Sequence, residues 1–186
     1  MKKFFLGLAL FASTVGIYSF TTKTADTFAV NTTTSKVEFI GSKKAGYHPG
    51  YFLLKSGSVS LDAGKLTGGS FVIDLASLKI TDEASAKLEV HLKSPEFFDF
   101  SKGTEATYAI SSVKYISADK AEIDGSLTLK GVTAPVKFVA SIRGVDATKF
   151  FAEGTFSLDR TVFGINYGVG MVANDVQVTI HLFAGK

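Results

Sequence analysis

Hydrophobic and polar residues alternate along most of this chain. The alternation is present at residues 36–39 and 71–75, and it is strongest at residues 122–130, 136–142 and 176–182. Successive side chains of a β-strand point to opposite faces, so each of these runs predicts a strand with one apolar face. Weaker runs predict further strands at residues 51–54, 57–61, 104–115 and 150–158.

Short segments of turn-forming residues separate some of these runs. Residues 131–135, Gly-Val-Thr-Ala-Pro, stand between two of the strongest runs and predict an antiparallel β-hairpin. Residues 46–50, Gly-Tyr-His-Pro-Gly, predict a second turn, with His48 at its centre. These turns indicate that strands adjacent in sequence pair with each other.

Residues 81–92, TDEASAKLEVHL, break the alternation. Thr81 or Asp82 suits a helix N-cap, acidic residues follow in what would be the first turn, and apolar residues recur at every fourth position. This pattern predicts a short amphipathic helix. The helix should end at Ser94, because the residue before a proline is disfavoured in the helical conformation, and Ser94 suits the cap of a second helical turn.

The predicted strands should form an all-β fold, an antiparallel barrel of about eight strands. Strands with one apolar and one polar face must close or stack to remove the apolar face from water, and closure also removes exposed edges. A barrel of this size either fills its interior with side chains or holds one small ligand. Frequent glycine, 18 residues in the chain, permits bends and unfilled space but leaves both alternatives open.

The first residues predict a secretory signal peptide. Met-Lys-Lys precedes an uncharged apolar stretch at residues 4–20, which is typical of such a leader. We place the leader at residues 1–25 and a single domain at residues 26–186, with a periplasmic or secreted location. An uncleaved anchor is the alternative, whereas cleavage would leave no stable membrane span.

Charge and motifs restrict the function classes. The leader holds three of the 20 basic residues, so the remaining domain carries 17 basic and 17 acidic residues and no basic cluster that would indicate nucleic-acid binding. Without cysteine, and without a nucleophile elbow, P-loop or dinucleotide fingerprint, the sequence does not indicate an enzyme. The three histidines lack metal-ligand spacing. We therefore expect no metal and no cofactor.

Four segments in order resemble the YceI-like family of exported polyisoprenoid-binding proteins. They are HLKSPEFFDF at residues 91–100, GSLTLKGVTAPVKF at 125–138, FSLDRTVFGI at 156–165 and NDVQVTIHL at 174–182. The resemblance implies a lipocalin-like barrel whose interior takes a long isoprenoid chain, either polyprenyl or quinone-type, as a carrier or buffer. A filled barrel that acts as a structural or interaction module of the cell envelope is the alternative. The oligomeric state stays open, a dimer included.

The candidate ligand contacts are mostly inward-facing apolar side chains, because flat phenylalanine rings match the planar double bonds of an isoprenoid. They are Phe39, Phe71, Ile73, Leu88, Leu92, Phe97, Phe98, Leu127, Leu129, Phe138, Phe156 and Phe163. Filling of a solid core is the other interpretation of each ring. Within this set, Phe97 and Phe98 belong to residues 81–100, which we expect to cover one end of the barrel. There the two rings either line the opening of the barrel or block it without contacting a ligand.

Arg160 is the one charged candidate. Its guanidinium could meet a diphosphate or a quinone oxygen of the ligand. The favoured interpretation is that it anchors its loop by pairing with a carboxylate such as Asp99 or Asp159.

Overall fold

Strands account for most of the residues that the structure describes. The structure is a computed structural model and describes residues 25–186, so the predicted leader lies outside the described residues except for its last position. In chain order the elements are β1 Asp26–Val30, β2 Lys36–Lys43, β3 Gly46–Asp62, β4 Lys65–Ile80, α1 Ser85–Lys93, β5 Glu105–Tyr115, β6 Lys120–Leu129, β7 Val132–Val145, β8 Lys149–Asp159, a 3-10 helix Arg160–Phe163, and β9 Asp175–Gly185.

The strands form one closed antiparallel barrel. Neighbours follow the order β3-β2-β9-β8-β7-β6-β5-β4, and β4 pairs back onto β3. The short strand β1 occupies the same place as β2, because both lie between β3 and β9, at opposite ends. The barrel therefore has eight positions, as the alternation predicts, together with one short helix. Both the fold class and the strand number are confirmed.

Topology divides the loops between the two ends of the barrel. The connections β2–β3, β4–β5, β6–β7 and β8–β9 all lie at one end, which we call the mouth end. The connections β3–β4, β5–β6 and β7–β8 lie at the opposite end. The two long connections, residues 81–104 and 160–174, are both at the mouth end, so the segments able to cover the barrel are concentrated there.

The helix begins later than its sequence predicts. It starts at Ser85, and Asp82 precedes it, with one carboxylate oxygen accepting from the Ala84 N–H at 2.9 Å and the other 2.8 Å from His48 Nδ1. The hydrogen bond from His48 lowers the pKa of the Asp82 carboxyl. The expected acidic first turn is therefore wrong, because Asp82 instead joins the segment to β3.

The helix ends where proline predicts, but the cap differs. Ser94 is extended and terminates α1. Its hydroxyl is buried without a hydrogen-bond partner, and its backbone carbonyl accepts from the N–H groups of Phe97 and Asp99 instead. The segment after Pro95 is a series of hydrogen-bonded turns.

The two predicted turns are shorter than expected and come earlier in the chain. Residues 46–50 all lie in β3, after a turn at residues 44–45, and the prolines of both predicted turns lie in strands. The hairpin between β6 and β7 turns at Lys130 and Gly131 alone, both with positive φ, which suits the twist of a two-residue hairpin. Pro135 lies in β7 where that strand pairs only with β6, and Pro49 lies in β3 where that strand pairs only with β2. A proline lacks the N–H that a second neighbour would require, so both positions tolerate it.

Candidate functional site

The barrel encloses an apolar cavity. Its volume is about 240 Å³, larger than the ~150 Å³ that suffices for an engineered apolar cavity to bind benzene. Alternate residues of the surrounding strands line it, and almost all of its surface is carbon. The wall includes Ala173, which is exposed, so the cavity reaches the surface at the mouth end. The interior is hollow rather than filled.

Most of the residues proposed from the sequence meet at this cavity. Those on its wall are Phe39, Phe71, Ile73, Leu92, Phe97, Phe98, Leu127, Leu129, Phe138, Phe156 and Arg160. For the seven of these residues that lie in strands, the placement follows from alternation, because inward positions of every strand converge on one axis in a closed barrel. The other four lie on the two long connections at the mouth end. Their contact with a ligand belongs to the proposal below.

Two proposed residues lie away from the cavity. Phe163 is 1% exposed and packs in the core, in the 3-10 helix after β8. Because the strand has ended, the alternation no longer decides where that side chain points. Leu88 packs against the core one helical turn before Leu92, and only Leu92 reaches the cavity.

Several cavity residues were not among the sequence candidates. Phe52 and Leu54 of β3 and Phe150 of β8 line the cavity, and all three are buried. Their alternating positions were a usable signal. Tyr108 of β5 also lines it, with its hydroxyl donating to the Val136 carbonyl at 3.1 Å. Burial raises the pKa of Tyr108 to about 12, with a smaller contribution from Asp124.

Aromatic rings lie flat against the wall because glycines leave room beneath them. A Cβ at Gly154 would lie 2.9 Å from the Phe138 ring, and one at Gly50 would lie 2.5 Å from the Phe39 ring. Both glycines are on strands next to their rings, the arrangement in which an aromatic side chain covers an adjacent strand glycine. Phe138 also stacks on Phe156, with centroids 4.8 Å apart. The rings therefore lie along the cavity wall and leave the centre of the barrel open.

The segment at residues 81–100 covers the mouth end as expected. Phe98 contacts Phe52 edge to face, with centroids 5.4 Å apart, and both rings line the cavity. Phe97 lies against His91 and Tyr167, with centroids 5.0 and 5.1 Å away. Phe97 thus joins this segment to the β8–β9 connection. Both rings therefore line the cavity at its mouth end.

Arg160 anchors the β8–β9 connection through backbone carbonyls. Its guanidinium donates to the carbonyl oxygens of Ala173 at 2.9 Å, Val172 at 3.2 Å, and Ile165. In residues 25–186 no carboxylate forms an ion pair with it, because Asp159 accepts from Thr161 instead. The expected carboxylate pairing is therefore wrong, although the anchoring role is right. Burial lowers the pKa of the guanidinium, and the charge of Asp159 opposes that shift.

The described residues contain neither a cluster of metal ligands nor a membrane-spanning helix. No group of three or more His, Cys, Asp or Glu side chains there is arranged to hold a metal ion. No helix in that part of the chain has the length and apolar character needed to cross a membrane.

Known proteins share both the sequence pattern and the fold. The model of the YceI-like domain matches residues 28–184. A UPF0312 protein of Pectobacterium atrosepticum is 37% identical over 106 residues, 53% of this chain and 54% of that protein. A UPF0312 protein of Azotobacter vinelandii is 30% identical over 129 residues, 67% of each chain. The matches thus span about half to two thirds of these relatives.

Two solved structures show the same fold at low identity. BcnA of Burkholderia cenocepacia superposes with a TM-score of 0.72 at 23% identity, covering 83% of this chain and 99% of that one. A polyisoprenoid binding domain from Saccharophagus degradans, implicated in plant cell wall breakdown, gives a TM-score of 0.69 at 18% identity, with 85% and 97% covered. At such identities the likeness concerns the fold. Since the family model spans nearly all of the described residues, this chain belongs to the YceI-like family.

Proposed function

We propose that this protein holds a long apolar isoprenoid chain, polyprenyl or quinone-type, inside its barrel. The observation that carries the proposal is the hollow interior with an almost entirely carbon surface. Such a wall offers no hydrogen-bond partners, so it suits a hydrocarbon chain and disfavours any polar guest. A related fold described as a polyisoprenoid binding domain supports the same ligand class.

The energetics of such binding are favourable. Each methylene-equivalent taken from water contributes ~0.8 kcal/mol, so about ten carbons suffice for micromolar affinity. In longer chains each further carbon adds less binding free energy, because ordering a flexible chain costs entropy and the tail must fit the cavity. Affinity therefore comes from the tail, and selectivity comes from the length of the cavity.

The polar head group of the ligand belongs at the mouth end. A charged or strongly polar group deep in an apolar wall would lose its hydration without replacement. Arg160 lies at the mouth end with a charge that no carboxylate in residues 25–186 neutralises by direct pairing. A quinone oxygen or phosphate near Arg160 would gain from that charge.

We further propose that the protein acts as an exported carrier or buffer, in the periplasm or outside the cell, and does not alter its ligand chemically. The leader-like stretch at residues 4–20 supports export. A hollow binding site without a cluster of catalytic groups on its wall supports storage or transfer. The filled structural module is disfavoured by the cavity.

Native mass spectrometry tests the function. Protein purified gently from its own host should carry an apolar adduct that organic extraction removes, and the extracted molecule should be an isoprenoid. Returning it to the stripped protein should restore the adduct, and prolonged incubation should leave it unchanged. A bare mass that takes up neither the host lipid extract nor geranylgeraniol would refute the carrier. A converted ligand would indicate an enzyme.

A further inference from the structure

Exposed hydrophobic side chains are concentrated at the mouth end. They lie on the β2–β3 hairpin, on α1, at the start of β7 and on the β8–β9 connection. Those at the mouth end are Tyr47, Val90, Val132, Val162, Tyr167, Val169 and Met171. Among the described residues only Ile116, at the opposite end, and Val139, in the middle of β7, are large, hydrophobic and exposed elsewhere. A scattered distribution would need no explanation, but this one marks a surface.

Backbone contacts make part of this surface continuous. Val172 forms a β-bridge with Lys43, and the Met171 carbonyl accepts from the Lys44 N–H at 3.4 Å. The Ala173 N–H donates to the Ser42 carbonyl at 2.9 Å. The β8–β9 connection is thus fastened to the tip of the β2–β3 hairpin. We call the surface formed by Tyr47, Val169, Met171, Lys43 and Lys44 the mouth platform.

The exposed fractions within the mouth platform are large. Tyr47 is 65% exposed, Val169 is 56% exposed and Met171 is 68% exposed. Tyr47 stands beside the β2–β3 turn, as the second residue of β3, and Val169 and Met171 lie in the β8–β9 connection. Their large exposed fractions show that they face solvent rather than line a groove. A projecting aliphatic pair with a tyrosine beside it suits the boundary between lipid head groups and acyl chains, where amphipathic rings are favoured.

The charge of the mouth platform is positive. Lys43 and Lys44 are exposed, and neither residues 39–47 nor residues 160–174 contain an aspartate or glutamate. The neighbouring connection, residues 81–104, has five acidic side chains. Four of them have basic or histidine partners, namely Asp82 with His48, Glu89 with Lys79, Glu96 with His91, and Asp99 with Lys102, and the fifth, Glu83, is exposed. Cations beside projecting apolar groups complement an anionic bilayer surface.

We propose that the mouth platform docks on an anionic lipid bilayer, with Met171 and Val169 inserted among the acyl chains and Lys43 and Lys44 at the phosphate groups. The cavity reaches the surface at Ala173, two residues after Met171. Docking in this orientation presents the cavity to the bilayer, and an apolar chain can pass between them without crossing bulk water. The docking does not depend on the proposed ligand, because it uses side chains outside the cavity wall.

The chain contains no tryptophan, which allows a direct test. A single tryptophan is introduced as Met171→Trp, and as Ile116→Trp for the control at the opposite end. With vesicles of phosphatidylglycerol and phosphatidylethanolamine, the emission of the Met171→Trp protein should shift to the blue, and the control should not shift. Vesicles of phosphatidylcholine alone should give a much smaller shift. Equal shifts in both proteins, or none in either, would overturn the proposal.

Removal of the docking groups provides the second arm. In vesicle cosedimentation, Val169→Ser with Met171→Ser should weaken binding at least tenfold, and Lys43→Gln with Lys44→Gln should weaken it by about fivefold for each charge. The matched control, Ile116→Ser with Val139→Ser, should bind like the unsubstituted protein. Unchanged binding in the platform variants would refute docking. So would self-association at this surface, seen as a concentration-dependent mass without vesicles that the platform variants abolish.

The same variants separate docking from ligand binding. All of them keep the cavity wall intact, so native mass spectrometry should show that they retain an apolar adduct as the unsubstituted protein does. Loss of vesicle binding with retention of the adduct supports docking as a separate property. Retention of both vesicle binding and adduct refutes docking and leaves the proposed function intact.

Discussion

Filling the cavity from its wall should weaken ligand binding without unfolding the barrel. Ala140 lines the cavity from β7, and its cross-strand neighbours are Ala121 and Gly154, both small. In Ala140→Phe the added phenyl ring has lateral room on the Ala121 side, because the Phe138 ring already covers Gly154, and it points into the vacant lumen. A ~150 Å³ cavity accepts benzene, so a cavity of about 240 Å³ accepts this ring and keeps only part of its space.

The expected loss of ligand affinity follows from the number of ligand carbon atoms that the new ring displaces. Six ring carbons displace a comparable length of ligand, worth at most ~5 kcal/mol at ~0.8 kcal/mol for each carbon. A chain that slides toward the mouth recovers about half of this, which leaves a loss of ~2–3 kcal/mol, or about 30- to 150-fold in affinity. Burial of the new ring stabilises the fold and local overpacking destabilises it. The two free-energy contributions are of similar size, so Tm should change by less than about 6 °C.

The assay is displacement of a fluorescent apolar dye by geranylgeraniol, with Tm measured by calorimetry. The matched control is Ala109→Phe, because Ala109 is exposed on the outer face of β5. The control should bind like the unsubstituted protein. If Ala140→Phe binds as tightly as the control, the ligand does not occupy the lumen. If Ala140→Phe instead loses more than ~4 kcal/mol of stability, the lumen is a solid core and the reasoning fails.

Three further predictions concern the mouth and the wall. Phe98→Ala should release the ligand at least tenfold faster in a native mass spectrometry dissociation time course, with a stability loss of only ~1–2 kcal/mol because the ring is half-buried. Phe100→Ala, in the same segment but off the cavity wall, should keep the slow release. Equal release rates in the two variants would show that Phe98 does not contact the ligand. Arg160→Met should lower Tm by about 6–12 °C in calorimetry, because three carbonyls lose a charged donor, and an unchanged Tm would contradict the anchoring role. Tyr108 should ionise at about pH 12 in an ultraviolet titration. Because its pKa is raised from 10.0, its contribution to stability should persist below pH 10 and decline from pH 10 to 12. Tyr108→Phe should lack both the late titration and that decline.

The strands were largely predictable, and the failures have local causes. Residues 51–54 and 57–61 belong to one strand, β3, rather than two. Its register with β4 shifts between Leu54 and Ser56, so Lys55 and Ser56 are both exposed and the alternation is interrupted. A bulge of this kind inserts a residue into the period of two. β1 is only five residues long and two of them are buried, which is too short for a convincing pattern.

The cavity was less predictable than its wall. Alternation places a ring such as Phe138 on the inner face, but a ring pointing at the axis and a ring lying flat give the same pattern. The difference depends on which residue stands on the neighbouring strand, and that register is set by the whole barrel. The carbonyl partners of Arg160 were also beyond sequence reasoning, since a backbone oxygen leaves no trace in residue type.

The glycines beneath the aromatic rings make the bore of the lumen adjustable in small steps. At Gly154 a single added methyl group would lie 2.9 Å from the Phe138 ring, which would have to move, and 3.5 Å from the Val139 carbonyl oxygen, an ordinary contact. Strand number fixes the outer diameter of such a cylinder, whereas one carbon at Gly154 narrows its inside. At Gly50 the same carbon would also lie 2.6 Å from the Lys79 carbonyl oxygen, so the strand itself would have to shift. At a position such as Gly154, where the close contact is a side chain, the scaffold can therefore be refitted to thinner guests while its hydrogen-bonded frame stays the same.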